Sequence, residues 1–273
     1  MKNTKRLLAL ALAGSMMFAF AGCGSASSVP AADSGDAAAD SATGDTLVLA
    51  TSADYPPYEF HKLIDGKDEI VGFDISLAQL IADKLGKKLE IRDISFDSCL
   101  IELNMDKADI VIAGMSPDPD RDAAFSDIYY DTTQCVLVRK ADSSKYTDVA
   151  SLAGQTIGAQ LGSAQEKAAK AELPDSNLVS LQKIPDLLLN LSSGKSEAVV
   201  MEKFVAKTYL QTYDDMEIAF DLKYDTDGCA VAVKKGNDEL LQQVNEIVDT
   251  ALEDGTLSKY IDESAQLAAG ELG

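Results

Sequence analysis

Three side chains, far apart in this chain of 273 residues, together suit one kind of ligand. Arg121 carries a planar guanidinium that can grip a carboxylate through two parallel hydrogen bonds. Glu202 carries a carboxylate that can hold an ammonium group. Tyr55, just before Pro56 and Pro57, offers an aromatic wall. Each has a plainer reading by itself. Arg121 lies in SPDPDRDAAFSD and reads equally well as a surface cation neutralising Asp118, Asp120 and Asp122. Glu202 alone is a solvated loop acid, and Tyr55 alone is a loop anchor packed on its domain. A cation for a carboxylate, an acid for an ammonium and an aromatic wall together describe a site for an α-amino acid.

The elements needed to bring these residues together are legible. Residues 46–51 (TLVLAT) form a β-rich run, broken by Asp54-Tyr55-Pro56-Pro57-Tyr58, so Tyr55 is placed on a loop leaving a strand end. Asp65-Gly66 centres a hairpin turn. Asp74 is read as the N-cap of a helix whose apolar residues Ile75, Ala78, Ile81, Ala82 and Leu85 recur at helical spacing, with Gly86 just past its end. A strand at 89–94, a helix at 99–105 and a buried strand at 109–113 (DIVIA) follow, and Arg121 comes eight residues after that strand. The alternation resumes with a strand at 156–160 (TIGAQ), a loop through Gly162 and Ser163, helices at 164–173 and 184–191, and a strand at 197–201 (EAVVM) that delivers Glu202. A strand at 229–233 (CAVAV) and an amphipathic helix at 240–252, capped by Asn237 and ended by Gly255, complete the pattern. Such alternation predicts an α/β fold of mostly parallel sheets covered on both faces, in two lobes. Ligands of such folds sit outside the carboxyl ends of strands and between domains.

The N-terminus addresses the chain for export. Lys2, Lys5 and Arg6 precede a fifteen-residue apolar run that ends at Phe20-Ala21-Gly22-Cys23. This is the pattern of a signal peptide, too short for a permanent span. Cys23 directly after Ala-Gly resembles the lipobox of bacterial lipoproteins, with Phe20 where Leu is usual, and so marks Cys23 as a lipidation site. Residues 24–45, nearly all Gly, Ala, Ser, Thr, Asp and Pro, read as a flexible tether reaching about 25 Å. Loss of the three leader cations turns the net charge of −21 into −24. That excess argues against nucleic acid and against electrostatic docking on anionic lipid. Besides Cys23, Cys99, Cys135 and Cys229 allow at most one disulfide within the chain. Cys99 is expected to be buried as a small apolar side chain. The single histidine, His61, is read as a loop residue. With no CxxC either, neither a metal nor a cofactor is expected.

Six ordered motifs carry a family resemblance: ADYPPYEF, VGFDISLAQLIADKLG, ADIVIAGMSPDPDR, FSDIYY, SLAGQTIGAQLGSAQE and KGNDELLQQVNEIVDTALEDGTLSKYI. Over residue 46 to about residue 264 the chain resembles the extracytoplasmic solute-binding proteins of polar amino acid ABC transporters. The resemblance implies a two-lobed, type II periplasmic-binding-protein-like fold, each lobe a mostly parallel sheet flanked by helices, joined by two hinge strands. It divides the chain into a signal peptide (1–22), a lipidated cysteine and tether (23–45), lobe one (46–133 and 231–273) and lobe two with the hinge strands (134–230). Cys135 and Cys229 then fall on or beside the hinge. It implies an expected monomer that binds a free amino acid and docks on a permease coupled to a cytoplasmic ATPase.

The same resemblance assigns roles. Arg121 matches the arginine that clamps the ligand carboxylate, and Gly114 and Ser116 match positions holding the same head group. Ser163 and Ala164 match the lobe-two loop that donates to the carboxylate. Glu202 matches the acid that takes the α-ammonium, and Tyr55 and Phe96 match the walls around the side chain. Ala164 stands where many members have Thr, and Glu202 is one methylene longer than the usual Asp. Ser52 occupies a place where binders of basic amino acids often carry an acid, which points away from lysine and arginine. Two rivals share the scaffold: a prephenate or cyclohexadienyl dehydratase with Glu202 as proton donor, and an amino-acid sensor module.

Overall fold

The computed structural model describes residues 45–224 and 226–270. The leader, Cys23 and nearly all of the tether lie outside the described residues. Two five-stranded sheets form the frame. The first is built from β1 (Thr46–Thr51), β5 (Lys88–Asp93), β6 (Ile110–Val111), β7 (Ala124–Tyr130) and β13 (Cys229–Val233), in the order β5-β1-β6-β13-β7. β5, β1 and β6 are parallel, and β13 runs antiparallel to both of its neighbours. The second contains β8 (Gln134–Arg139), β9 (Thr156–Gln160), β10 (Asn177–Leu181), β11 (Ala198–Glu202) and β12 (Met216–Asp221), in the order β10-β9-β11-β8-β12. Here β10, β9 and β11 are parallel, and β8 is the strand that opposes them.

Helices cover both faces, as near-continuous apolar strands require. In the first lobe, Leu47, Leu49, Ile110 and Ile112 belong to the core that holds Leu77 and Ile81 of α1 (Phe73–Lys84) and Val244 and Val248 of α6 (Asp238–Glu253). Their sequence neighbours Val48, Ala50, Val111 and Ala113 pack instead with Phe96, Cys99 and Leu103 of α2 (Phe96–Asn104). The period of two thus splits each strand between two cores. In the second lobe, Val136, Val138, Ile157 and Val200 pack with Ala168 and Ala169 of α3 (Ala164–Glu172). Leu137, Val199 and Met201 share the other core with Leu187, Leu188 and Leu191 of α4 (Ile184–Ser192). The short helix α5 (Lys203–Tyr209) follows β11, and α7 (Thr256–Ala268) closes the described chain.

The chain crosses between the sheets twice, from Tyr130 to Gln134 and from Asp221 back to Cys229. The crossings are tied by the Leu222 N–H donating to the Gln134 carbonyl (2.9 Å) and by a Thr132–Thr226 hydroxyl pair at 2.5 Å. Three expectations need correction. Tyr55, expected on a loop, lies in the two-residue strand β2 (Asp54–Tyr55) and pairs with Glu59. Asp74 is not an N-cap: α1 starts at Phe73 with Gly72 at its cap, and Asp74 lies inside the first turn, fully buried. His61 is not in a loop but in β3 (Glu59–Ile64), which with β2 (Asp54–Tyr55) and β4 (Lys67–Val71) forms a third, antiparallel sheet. Its ring sits 3.0 Å from both Asp68 and Asp93. Cys99, Cys135 and Cys229 are all buried free thiols, so no bond joins the two hinge cysteines.

Candidate functional site

Four loops at carboxyl ends of parallel strands meet between the lobes. From β1 come Ser52, Asp54 and Tyr55. The Asp54 carboxylate accepts from the Ser52 hydroxyl (3.1 Å) and, across the cleft, from the backbone N–H of Ile184 at the start of α4 (2.8 Å). Its carbonyl accepts from the Tyr209 hydroxyl (2.8 Å). Tyr55 is buried, and its hydroxyl accepts from Nε2 of Gln165 (3.2 Å). Gln165 also donates to Oε1 of Gln134 on the crossing strand (2.8 Å). Gly114 follows β6 with a φ of 53°, and the Tyr55 ring lies so close that a Cβ there would stand 2.9 Å from it. The Gly114 N–H donates to Asp74 (2.8 Å).

Arg121 closes the same loop. Its guanidinium lies over the Phe96 ring, 5.4 Å from the centroid, and donates to the Gly162 carbonyl of lobe two (3.1 Å). No acid of the described residues lies within ion-pair distance of it. Desolvation draws its pKa down, against the opposing pull of the Asp118 charge, so a bound anion would favour its charged form. The neighbouring acids are engaged elsewhere: Asp118 and Asp120 both bind Lys167 of α3, at 2.6 and 2.9 Å.

The lobe-two loop is held by a variant of the capping box. Ser163 caps α3 by accepting from the Glu166 N–H (3.1 Å), and Glu166 reaches back to the Gly162 N–H (2.9 Å). The Ser163 hydroxyl proton goes to the Gln160 carbonyl (2.7 Å), so this side chain is committed to its own helix. What remains for a ligand at this end is the backbone N–H of Ala164, one of the first-turn donors that lack an intrahelical partner. Glu202 is buried at the end of β11 and caps α5, accepting from Phe204 N–H (2.8 Å) and Val205 N–H (3.0 Å). Burial raises its carboxyl pKa, while those two bonds and others from Thr133 and Lys203 favour the charge. Phe204 stacks on Tyr130 beside it (5.8 Å, 24°).

A pocket of about 180 Å³ opens between the lobes, lined by Ser116, Asp118, Arg121, Ala164, Thr226 and Asp227 among others. Three of the expected residues, Ser116, Arg121 and Ala164, therefore face one space. Tyr55, Phe96, Gly114, Ser163 and Glu202 are not in its lining. Larger grooves of about 410 and 440 Å³ lie along α1, α6 and α7, but exposed polar and half-buried apolar side chains line them and no buried charge faces them. Asp54, Gln165 and Lys167, absent from the sequence-based list, carry much of the contact between the lobes. Gln165 was in view within LGSAQE, but no local pattern assigns it a partner in the other lobe.

A sequence profile of the bacterial extracellular solute-binding proteins, family 3, matches residues 47–264. The chain belongs to this family. The arginine-binding extracellular protein of Bacillus subtilis is 34% identical over 261 residues, 93% of this chain and 96% of that one. The substrate-binding protein AbpA of Streptococcus pneumoniae, solved bound to L-arginine, is 38% identical with a TM-score of 0.79, covering 82% of this chain and 96% of that one. A further substrate-binding protein of an amino acid ABC transporter is 43% identical with a TM-score of 0.76, over 80% of this chain and 98% of that one. These relatives are named as binding proteins, which supports the binding reading over the dehydratase one.

Proposed function

We propose that this solute-binding protein captures an α-amino acid by lobe closure and delivers it to an ABC permease driven by a cytoplasmic ATPase. The observation that carries the reading is Arg121, a partly buried guanidinium with no acid partner among the described residues, facing a pocket that both lobes line. In this proposal Arg121 clamps the ligand carboxylate, with Ser116 and the Ala164 N–H around it, and Gly114, whose N–H Asp74 holds, shapes the loop beside them. Glu202 holds the ammonium, and Tyr55 and Phe96 wall the side chain. The lobes are residues 46–133 with 231–273, and 134–230, turning on the two crossings. Cys23 carries a lipid that anchors a monomer on the outer face of the cell membrane.

L-arginine is the first ligand to test. Similar proteins are named for arginine, and the strongly negative chain favours a cation. The Ser52 argument against basic ligands weakens because Asp54 places a carboxylate 3.1 Å from that hydroxyl. The test is a thermal-shift panel on the unfolded and refolded chain. A ligand at 100 times its dissociation constant adds about 2.7 kcal/mol of stability. Arginine is expected to lead, and a response only to glutamine or cystine would reassign the cargo. Arg121→Ala leaves a buried carboxylate unpaired and should cost about 3–5 kcal/mol of affinity. Binding within threefold of wild type by that variant would remove the carboxylate assignment.

A further inference from the structure

Behind the ligand loop lie two carboxyl groups that no role above employs. Glu59, at the start of β3, and Asp74, in the first turn of α1, are both fully buried. They are brought together because Gly72 lets the backbone of the two segments touch: a Cβ there would lie 2.0 Å from the Tyr58 carbonyl. Both Glu59 oxygens and Oδ1 of Asp74 are buried with no hydrogen-bond partner among the described residues. Oδ2 of Asp74 accepts from the Gly114 N–H (2.8 Å) and the Tyr129 hydroxyl (2.9 Å). The Asp74 N–H donates to the carbonyl of Tyr58 (3.0 Å), the residue before Glu59, so the two segments that carry these carboxyl groups run side by side, and each carboxyl group acts electrostatically on the other. Ionised carboxylates only accept, so two adjacent carboxyl groups whose remaining oxygens lack donors can satisfy each other only by sharing one proton.

We propose that Glu59 and Asp74 share a single proton, and that this carboxyl–carboxylate pair positions the Gly114 amide of the ligand loop. Asp74 is the ionised member, since it alone receives donors from Gly114 and Tyr129, and Glu59 is the acid that donates to it. The other groups acting on the pair are Asp54 of β2, Cys99 of α2, Tyr129 of β7, Tyr55 and Cys229 of β13, none of them cationic. Burial and the Asp74 charge push Glu59 well above the usual carboxylate range, in keeping with this assignment. Asp74 and Glu59 are positioning residues, acting on the ligand through the Gly114 backbone. That part of the inference rests on the function proposed above.

The proton has a signature independent of any ligand. Above its ordinary pKa of 4.5, Glu59 in the unfolded chain releases its proton while the folded chain keeps it. Folding therefore takes up one proton, and this contribution weakens as pH rises, tenfold in the folding constant per pH unit. Glu59→Gln keeps the donor to Asp74 but has no proton to lose. Burial raises Asp74 itself to about 6, so the ratio of wild-type to E59Q folding constants should fall tenfold per pH unit above about pH 7, until Glu59 ionises in the fold. A ratio independent of pH overturns the proposal. Should E59Q fail to fold, the infrared spectrum of the wild type at pH 7 decides: the carbonyl band of a protonated carboxyl is expected, and its absence overturns the proposal. For positioning, Asp74→Ala should raise the arginine dissociation constant at least tenfold, and Asp74→Asn, which still accepts from Gly114, should restore it to within threefold. An unchanged affinity in Asp74→Ala refutes the positioning role. If the wild type binds no arginine, the proposed ligand fails while the folding and infrared measurements still judge the proton.

Discussion

Replacing Lys167 by Met should loosen the closed state without touching the ligand. Lys167 projects from α3 to Asp118 at 2.6 Å and Asp120 at 2.9 Å, both in the loop that carries Arg121. The two pairs are unequal. Lys167 is 37% exposed, Asp118 20% and Asp120 84%. Exposed pairs contribute about 0.2–1 kcal/mol each, so the Asp120 pair belongs near zero and the sheltered Asp118 pair near the top of that range. Their sum is about 1 kcal/mol, roughly a fivefold change in an equilibrium constant. Since these bonds exist only when the lobes meet, that factor falls on closure, and through closure on the dissociation constant. Calorimetric titration with arginine, paired with energy transfer between dyes on the two lobes, would read both. Raising ionic strength from about 0.01 to 1 M shortens the screening length from about 30 to 3 Å, so the gap between wild type and variant should close with salt. Lys170→Met is the control: Lys170 pairs with Glu166 of its own helix and should leave closure unchanged. An equal affinity for Lys167→Met and wild type at low salt, or a difference that persists in 1 M salt, would refute the reasoning.

Two further outcomes are expected. Gly114→Ala combines a left-handed backbone with a Cβ 2.9 Å from the Tyr55 ring; it should lose about 1–3 kcal/mol of stability and weaken arginine binding, as denaturant unfolding and calorimetry would show. Cys99, Cys135 and Cys229 are fully buried, and burial pushes the Cys99 thiol up to about 12, so none should react with a thiol reagent until the chain unfolds. Rapid labelling of any of the three in the folded protein would contradict the packing.

The loops that line the candidate pocket were readable because they begin where periodicity ends. Apolar runs such as DIVIA and EAVVM announce buried strands, and the loop past the first carries Ser116 and Arg121 to the pocket, whereas Glu202 ends β11 and caps α5. Asn237 caps α6 and the Asp65-Gly66 turn joins β3 to β4 as their types predict, because both are local interactions between near neighbours in the chain. The roles of the polar side chains were less legible. Ser163 looked like a ligand donor, yet its hydroxyl bonds the Gln160 carbonyl three residues away. Asp74 looked like a cap, yet its partner Gly114 is 40 residues on, and Gln165 finds Tyr55 at a distance of 110.

The sequence by itself determined the alternating α/β order, the four strand-end loops and the acidic, export-directed character of the chain, since these follow from composition and short-range period. Only the tertiary structure decided which polar atoms are spent on the fold and which are left for a ligand. A hydrogen bond or a desolvated charge depends on which segments, distant in sequence, pack into contact, and no local pattern carries that information.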